Sequence, residues 1–176
     1  MGNFDKIFLA NTLIDIVIQN QFESLEKEHM EILMLCCGDY TEFLNPHQND
    51  SWLRVFQKMK EYILVSICDY ELCEYSLAIL LNFLTAEQLK FQIYEESRDI
   101  FARSLGILYS SEVAGDEKNK ICQDKFREFL IVKVLNRQED SDNALKKFFK
   151  SLLLKFQEEN PQEFDNSNVK DMVDQL

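Results

Sequence analysis

Apolar residues recur along most of the chain at steps of three and four, the spacing that lines up one face of a helix. Between residues 4 and 20 they are Phe4, Ile7, Phe8, Ile14, Val17 and Ile18, with Asn3 placed to cap the start. A second run through Leu25, Ile32, Leu33 and Cys36 stops at Gly38, a residue suited to the left-handed position past a helix end. Asp39-Tyr40-Thr41-Glu42 has the form of a capping box and predicts a short helix through Leu44, and Asn45-Pro46-His47 reads as a loop. Asp50 or Ser51 then caps a third long helix that turns Leu53, Phe56, Met59, Ile63 and Ile67 inward. Only Cys68 and Asp69 remain for the following corner, with Asp69 capping a helix that carries Leu72, Ser76, Ile79, Leu80 and Phe83 on one face. So short a link folds that helix back against the one before it.

The second half repeats the pattern. Thr85-Ala86-Glu87-Gln88 is a capping box, and it predicts a long helix with Leu89, Ile93, Ile100, Phe101, Leu105 and Leu108. Ser110 to Asn119, with Gly115 and little apolar content, reads as a loop. Two further amphipathic helices follow, one with Ile121, Phe126, Phe129, Leu130 and Val134. The other has Leu145, Phe148, Phe149, Leu152 and Phe156, with Asn136 to Ser141 between them and Ser141 as the cap. Pro161 stops the pattern, leaving one marginal turn around Val169, Met172 and Val173. The reading is all-α: about seven main antiparallel helices in one domain, residues 1–158, followed by an acidic, partly disordered tail, 159–176.

Composition supports this. Four Gly and two Pro are too few for the frequent turns of an all-β fold, and no glycine-rich loop is present to cradle a phosphate. The helix starts expected near 24, 51, 69, 86, 117 and 141 are irregularly spaced, and no regular short-repeat signature is present. Such helices either stack as an irregular α-solenoid, the favoured form, or close into a bundle.

Charge changes the picture of partners. The net charge is −12, unevenly distributed. Residues 1–117 carry 20 acidic and 8 basic side chains, residues 118–155 carry 5 and 10, and residues 156–176 carry 6 and 1. An acidic surface repels nucleic acid, so a protein partner is expected instead. Within the basic segment Lys146, Lys147 and Lys150 share part of a helix face, with Arg137 near in sequence and Lys133 and Lys155 on either side. These four, Arg137, Lys146, Lys147 and Lys150, are the candidate partner-binding residues, for an acidic partner or the acidic half of a second copy. The competing reading is a solvated helix face, since helices favour lysine in their later turns.

Catalytic chemistry finds little foothold. His29 lies among Glu26, Lys27 and Glu28, and His47 follows Pro46; neither has a nucleophile in a recognisable setting. Cys36, Cys37 and His47 lack the paired spacing of a structural zinc site, and Cys68 and Cys73 are no better. Paired carboxylates such as Glu95-Glu96 and Glu158-Glu159 read as solvated faces. No enzyme, cofactor or metal is therefore expected. Asp5 and Asp15 interrupt the apolar start, so no signal peptide is read, and no apolar run is long enough to span a membrane. Five unevenly spaced cysteines then fit free thiols in a reducing compartment, nuclear or cytoplasmic.

One stretch carries a resemblance. Met59-Lys60-Glu61-Tyr62-Ile63-Leu64, Cys68-Asp69-Tyr70-Glu71-Leu72 and Leu77 to Gln88 resemble the corners of armadillo/HEAT repeats, where an Asp caps a helix that closes on a Leu-Thr. More faintly, they are similar to the armadillo-like domain of synaptonemal-complex axis proteins. The resemblance covers about 30 of the 176 residues. It implies a nuclear, chromosome-associated scaffold that binds proteins along a helical groove, and it carries over no binding residue. A helical-bundle regulator of Bcl-2 type, sequestering a partner helix, is the alternative. The Asn-Trp-Gly-Arg element of its cellular members is missing, and Trp52 stands in Ser-Trp-Leu-Arg instead.

Overall fold

The structure, a computed structural model, describes residues 3–19, 26–37, 46–85, 90–110, 116–137 and 144–176. Among them are the helices α1 (Asn3–Gln19), α2 (Lys27–Cys37), α3 (Pro46–Ser66), α4 (Cys73–Thr85), α5 (Lys90–Leu108), α6 (Glu117–Phe129), α7 (Ala144–Glu159) and α8 (Pro161–Asp165). A π-helical segment, Leu130–Leu135, continues α6, and a 3-10 turn spans Lys170–Met172. The fold is all-α, with no strand among the described residues.

Several boundaries differ from those the sequence suggests, each for a local reason. Helix α3 begins at Pro46, so Pro46 and His47 belong to a helix and not to a loop. Proline suits this place because the first N–H groups of a helix have no intrahelical partner to lose. The corner after α3 spans residues 67–72. Asp69 does cap there: its carboxylate accepts the N–H of Glu71 at 2.9 Å and its carbonyl accepts that of Cys73 at 2.8 Å. A lead-in turn therefore precedes α4. Thr85 is the last described residue of α4, and its hydroxyl donates back to the Leu81 carbonyl at 2.7 Å. The rest of that capping box, the one expected at Asp39 and the cap at Ser141 lie outside the described residues.

The loop before α6 ends earlier than Asn119. Asp116 is the cap, accepting the N–H of Lys118 at 3.0 Å, and Asn119 is already helical and buried. Asn119 and Gln123 both donate to the Leu108 carbonyl, which α5 leaves without an intrahelical partner.

Packing follows chain order. The substantial contacts join α1 to α2 and α3, α2 to α4, α3 to α4 and α5, α4 to α5 and α6, α5 to α6 and α7, and α7 to α8 and the π segment. Every such pair is one or two helices apart in the chain. The core runs through all of them, from Ile7, Ala10 and Ile14 to Phe149, Leu152 and Phe156. Two residues expected inward, Phe8 and Ile121, are exposed.

The chain after Pro161 was expected to be partly disordered, with one marginal turn. Here it folds over α5, α6 and α7. Phe164 meets Phe156 edge-on at 5.7 Å, and Val169 and Met172 are buried. Tyr109 donates to Asn168 at 2.6 Å, while Arg127 donates to the Asn168 carbonyl and, at 2.7 and 3.1 Å, to both oxygens of Asp171. Apolar anchors and one arginine thus hold an acidic segment against the body.

Candidate interaction groove

Helix α4 is apolar on more than one side. Its inner face holds Ser76, Ile79, Leu80 and Phe83, and residues 74, 77, 78, 81 and 82 form a second face at helical spacing. A helix apolar nearly all round is either enclosed or leaves an apolar surface for something else. Here the second face is the floor of an open groove of about 460 Å³. Met34 of α2 forms one wall. Lys125, Glu128 and Phe129 of α6, with Val132 and Lys133 of the π segment, form the other. The volume is in the range of sites that accept side chains or small ligands.

Local structure explains why the groove stays open. The π segment has i→i+5 geometry, seen where the N–H of Asn136 bonds to the Ile131 carbonyl at 3.1 Å. Leu130 and Val134 are buried, while Val132 is 50% exposed and Lys133 is exposed beside it. One end of the groove is fixed by an ion pair between Glu74 of α4 and Lys125 of α6 at 3.2 Å. Partial burial works most strongly against the charge of Lys125, but the bond to Glu74, the Glu74 charge and the nearby Cys73 and Cys122 together outweigh it and hold the ammonium above its ordinary range.

The residues singled out from sequence lie elsewhere. Lys146, Lys147 and Lys150 sit in the first two turns of α7, so they are not the late-turn lysines that the helix dipole favours. Lys147 and Lys150 are exposed; Lys146 and Arg137 are half-buried. None of the four lines the groove, and none makes an ion pair among the described residues. Lys155 is occupied differently, pairing with Asp99 at 2.9 Å and Glu159 at 3.6 Å. His29 is half-buried and its Nδ1 accepts the N–H of Glu26 at 3.1 Å, a capping contact at the start of α2. The side chains of Cys36, Cys37 and His47 lie outside the described residues. Among the described residues, no group of His, Cys, Asp and Glu is arranged to hold a metal ion, and no helix is long and apolar enough to cross a membrane.

The groove residues Leu77, Ala78 and Leu81 were missed because only the inner stripe of α4 was read as meaningful. Their signal was present: three apolar residues on a helix whose core face was already filled. Val132 had no such signal, because its outward position depends on the π turn. No family model, curated protein or solved structure matches the chain.

Proposed function

We propose that the chain is a non-enzymatic protein-interaction module of the stacked-helix kind, which takes an apolar segment of a partner protein in the groove over α2, α4 and α6. The observation that carries this reading is the alternation of helices. Packing between next-but-one neighbours joins α1, α3, α5 and α7 in one row and α2, α4 and α6 in another. The starts of α2, α4 and α6, at residues 27, 73 and 117, are 46 and 44 residues apart. A two-helix period of that length is the armadillo/HEAT range. It escapes notice when helices are counted singly, because long and short steps alternate.

In a stacked array one row of helices lines an extended surface suited to a partner segment. The groove crosses all three helices of the second row, which is where that surface would lie. Its mixture of an apolar floor with Glu74, Asn82, Glu128 and Lys133 at the rim suits an amphipathic helix or an extended peptide. A closed bundle of Bcl-2 type is less well supported, since α4, its natural central helix, leaves one face open.

The test uses the full chain as bait with three variants. Ala78→Arg fills the floor, Val132→Glu charges the wall, and the triple change Lys146→Glu, Lys147→Glu, Lys150→Glu reverses the basic face of α7. A partner captured by the wild type and the triple variant but lost by Ala78→Arg and Val132→Glu supports the groove. Equal capture by all four proteins removes it. Loss only in the triple variant moves the interface to α7.

A further inference from the structure

Helix α1 is apolar on two opposite sides. Ile7, Ala10 and Ile14 are buried where α1 packs on α2 and α3, while Phe8, Leu9 and Ile16 are exposed on the far side. Thr12 lies between them and donates its hydroxyl to the Phe8 carbonyl at 2.8 Å, so its donor is satisfied within the helix and the stripe stays apolar. Terminal helices of stacked arrays ordinarily turn a polar face outward, because nothing further packs on them. The opposite end of this molecule is covered by its own residues 161–176, through Phe164, Val169 and Met172. Among the described residues nothing covers the outer side of α1.

Resting on the reading of the groove as a docking site, we propose that its occupant is α1 of a second copy, so that copies join head to tail. Charge matches the two surfaces. Residues 1–37 carry 6 acidic and 2 basic side chains, whereas residues 118–155, which supply one wall of the groove, carry 5 and 10. Asp5, in the first turn of α1, is exposed on the same face as Phe8 and Leu9, three and four residues further on. Lys133 is exposed on the groove wall and makes no ion pair among the described residues. With Phe8 and Leu9 seated on the floor of Leu77, Ala78 and Leu81, Asp5 reaches Lys133. Size matches as well: an open groove of about 460 Å³ takes a few side chains, which is what one exposed stripe of a helix offers.

The contact is heterologous. Each copy gives α1 and receives another in its groove, so the assembly grows as an open chain unless a rotation closes it into a ring. Every copy has net charge −12, so copies repel at long range, and an interface built on one helix is small. Association is therefore weak, and α1 stays solvated at the low concentrations used for unfolding studies.

The experiment is sedimentation velocity of the full chain from low to high micromolar concentration. The weight-average mass should rise from the 20.8 kDa of one chain through the dimer and beyond. Phe8→Asp and Val132→Glu, both at exposed positions, should each stay monomeric. Their equimolar mixture should form a dimer and nothing larger, because one variant keeps an intact groove and the other an intact α1; that dimer also shows that both variants are folded. Asp5→Lys and Lys133→Glu should each weaken association several-fold, and the two changes in one chain should restore it. A wild type that is monomeric at every concentration overturns the proposal. The groove reading survives that result if Ala78→Arg still abolishes capture of another partner. Association that survives Val132→Glu but not Phe8→Asp also overturns it, in favour of a contact between two α1 helices.

Discussion

Among the described side chains, helices α1 and α2 bury Ile7, Ala10, Ile14, Met30 and Leu33 against the rest of the molecule, all aliphatic or sulfur-containing. The far end meets it through aromatic rings. Phe149 touches Phe101, Phe129 and Phe148 with centroids 5.1–6.1 Å apart, Phe156 lies between Tyr109 and Phe164, and Tyr94 lies over Phe148 at 4.7 Å. The outer surfaces differ as well. At the first end Phe8 is 65% and Leu35 72% exposed, whereas at the last end residues 161–176 cover Phe156 and Tyr109. Large planar side chains bury more area and add ring–ring attraction, so the aromatic end gains more per residue. The comparison teaches that similar helices are held unequally. The α1–α2 end should open first in native-state exchange, and the α5–α7 end last.

The largest break in this comparison is Phe149→Ala. It removes a fully buried ring with three aromatic neighbours, and urea unfolding should show a loss of about 3–5 kcal/mol. A loss below about 1 kcal/mol would mean that the rings are not the anchor of this end.

Next comes Gly106→Val, at the place where α5 runs beside the link between α7 and α8. A Cβ on Gly106 would stand 2.9 Å from Nδ2 of Asn160, inside van der Waals contact. The helix would gain from replacing glycine, but the crowding should dominate and lower stability by about 1–2 kcal/mol. Asn160→Gly in the same protein should restore part of it, and absence of any rescue would place the cost elsewhere.

A smaller effect separates the segment after Pro161 from the body. The Arg127 guanidinium holds the Asp171 carboxyl below its usual range. A depressed carboxylate contributes fully above its unfolded value, near 4, and less as pH falls through its lower folded value. Exchange protection of residues 168–176 should therefore be flat from neutral pH to about pH 4 and fall below it. The Asp171 side chain is 60% exposed, so solvent screens the pair, and Arg127→Ala should cost only about 0.5–1 kcal/mol while flattening the acid limb. An unchanged acid limb would assign it to other carboxylates. Smallest of all is Leu9→Ser on the exposed side of α1, expected to change stability by no more than about 0.5 kcal/mol. A larger loss would show that this surface is covered in solution.

Much of the fold was legible because helical periodicity is a local signal. Leu145, Phe148, Phe149, Leu152 and Phe156 were read as one face, and all are buried. The stripe on α4 was read correctly from Leu72 to Phe83. Boundaries were harder, because a polar residue before an apolar run has more than one partner available. Asp69 turned its carboxylate to the N–H of Glu71, but Thr85 turned its hydroxyl backward to Leu81. The segment after Pro161 was underestimated because its contacts, Tyr109 to Asn168 and Arg127 to Asp171, join residues 59 and 44 positions apart. The groove depends on three helices meeting, and only its floor on α4 had a trace in sequence.

The π turn between Leu130 and Leu135 has a consequence for how this chain tolerates change in length. A π turn holds more residues than the α turn it replaces, so this stretch carries slack that the rest of α6 does not. Removing one residue there can be absorbed by relaxation to α geometry, with Leu130 and Val134 redistributed around a tighter coil. The same deletion in α7 would rotate every later ring away from its neighbour. The wall of the groove is thus the part of the molecule where a single-codon deletion or insertion can reshape a surface without dismantling the core beneath it.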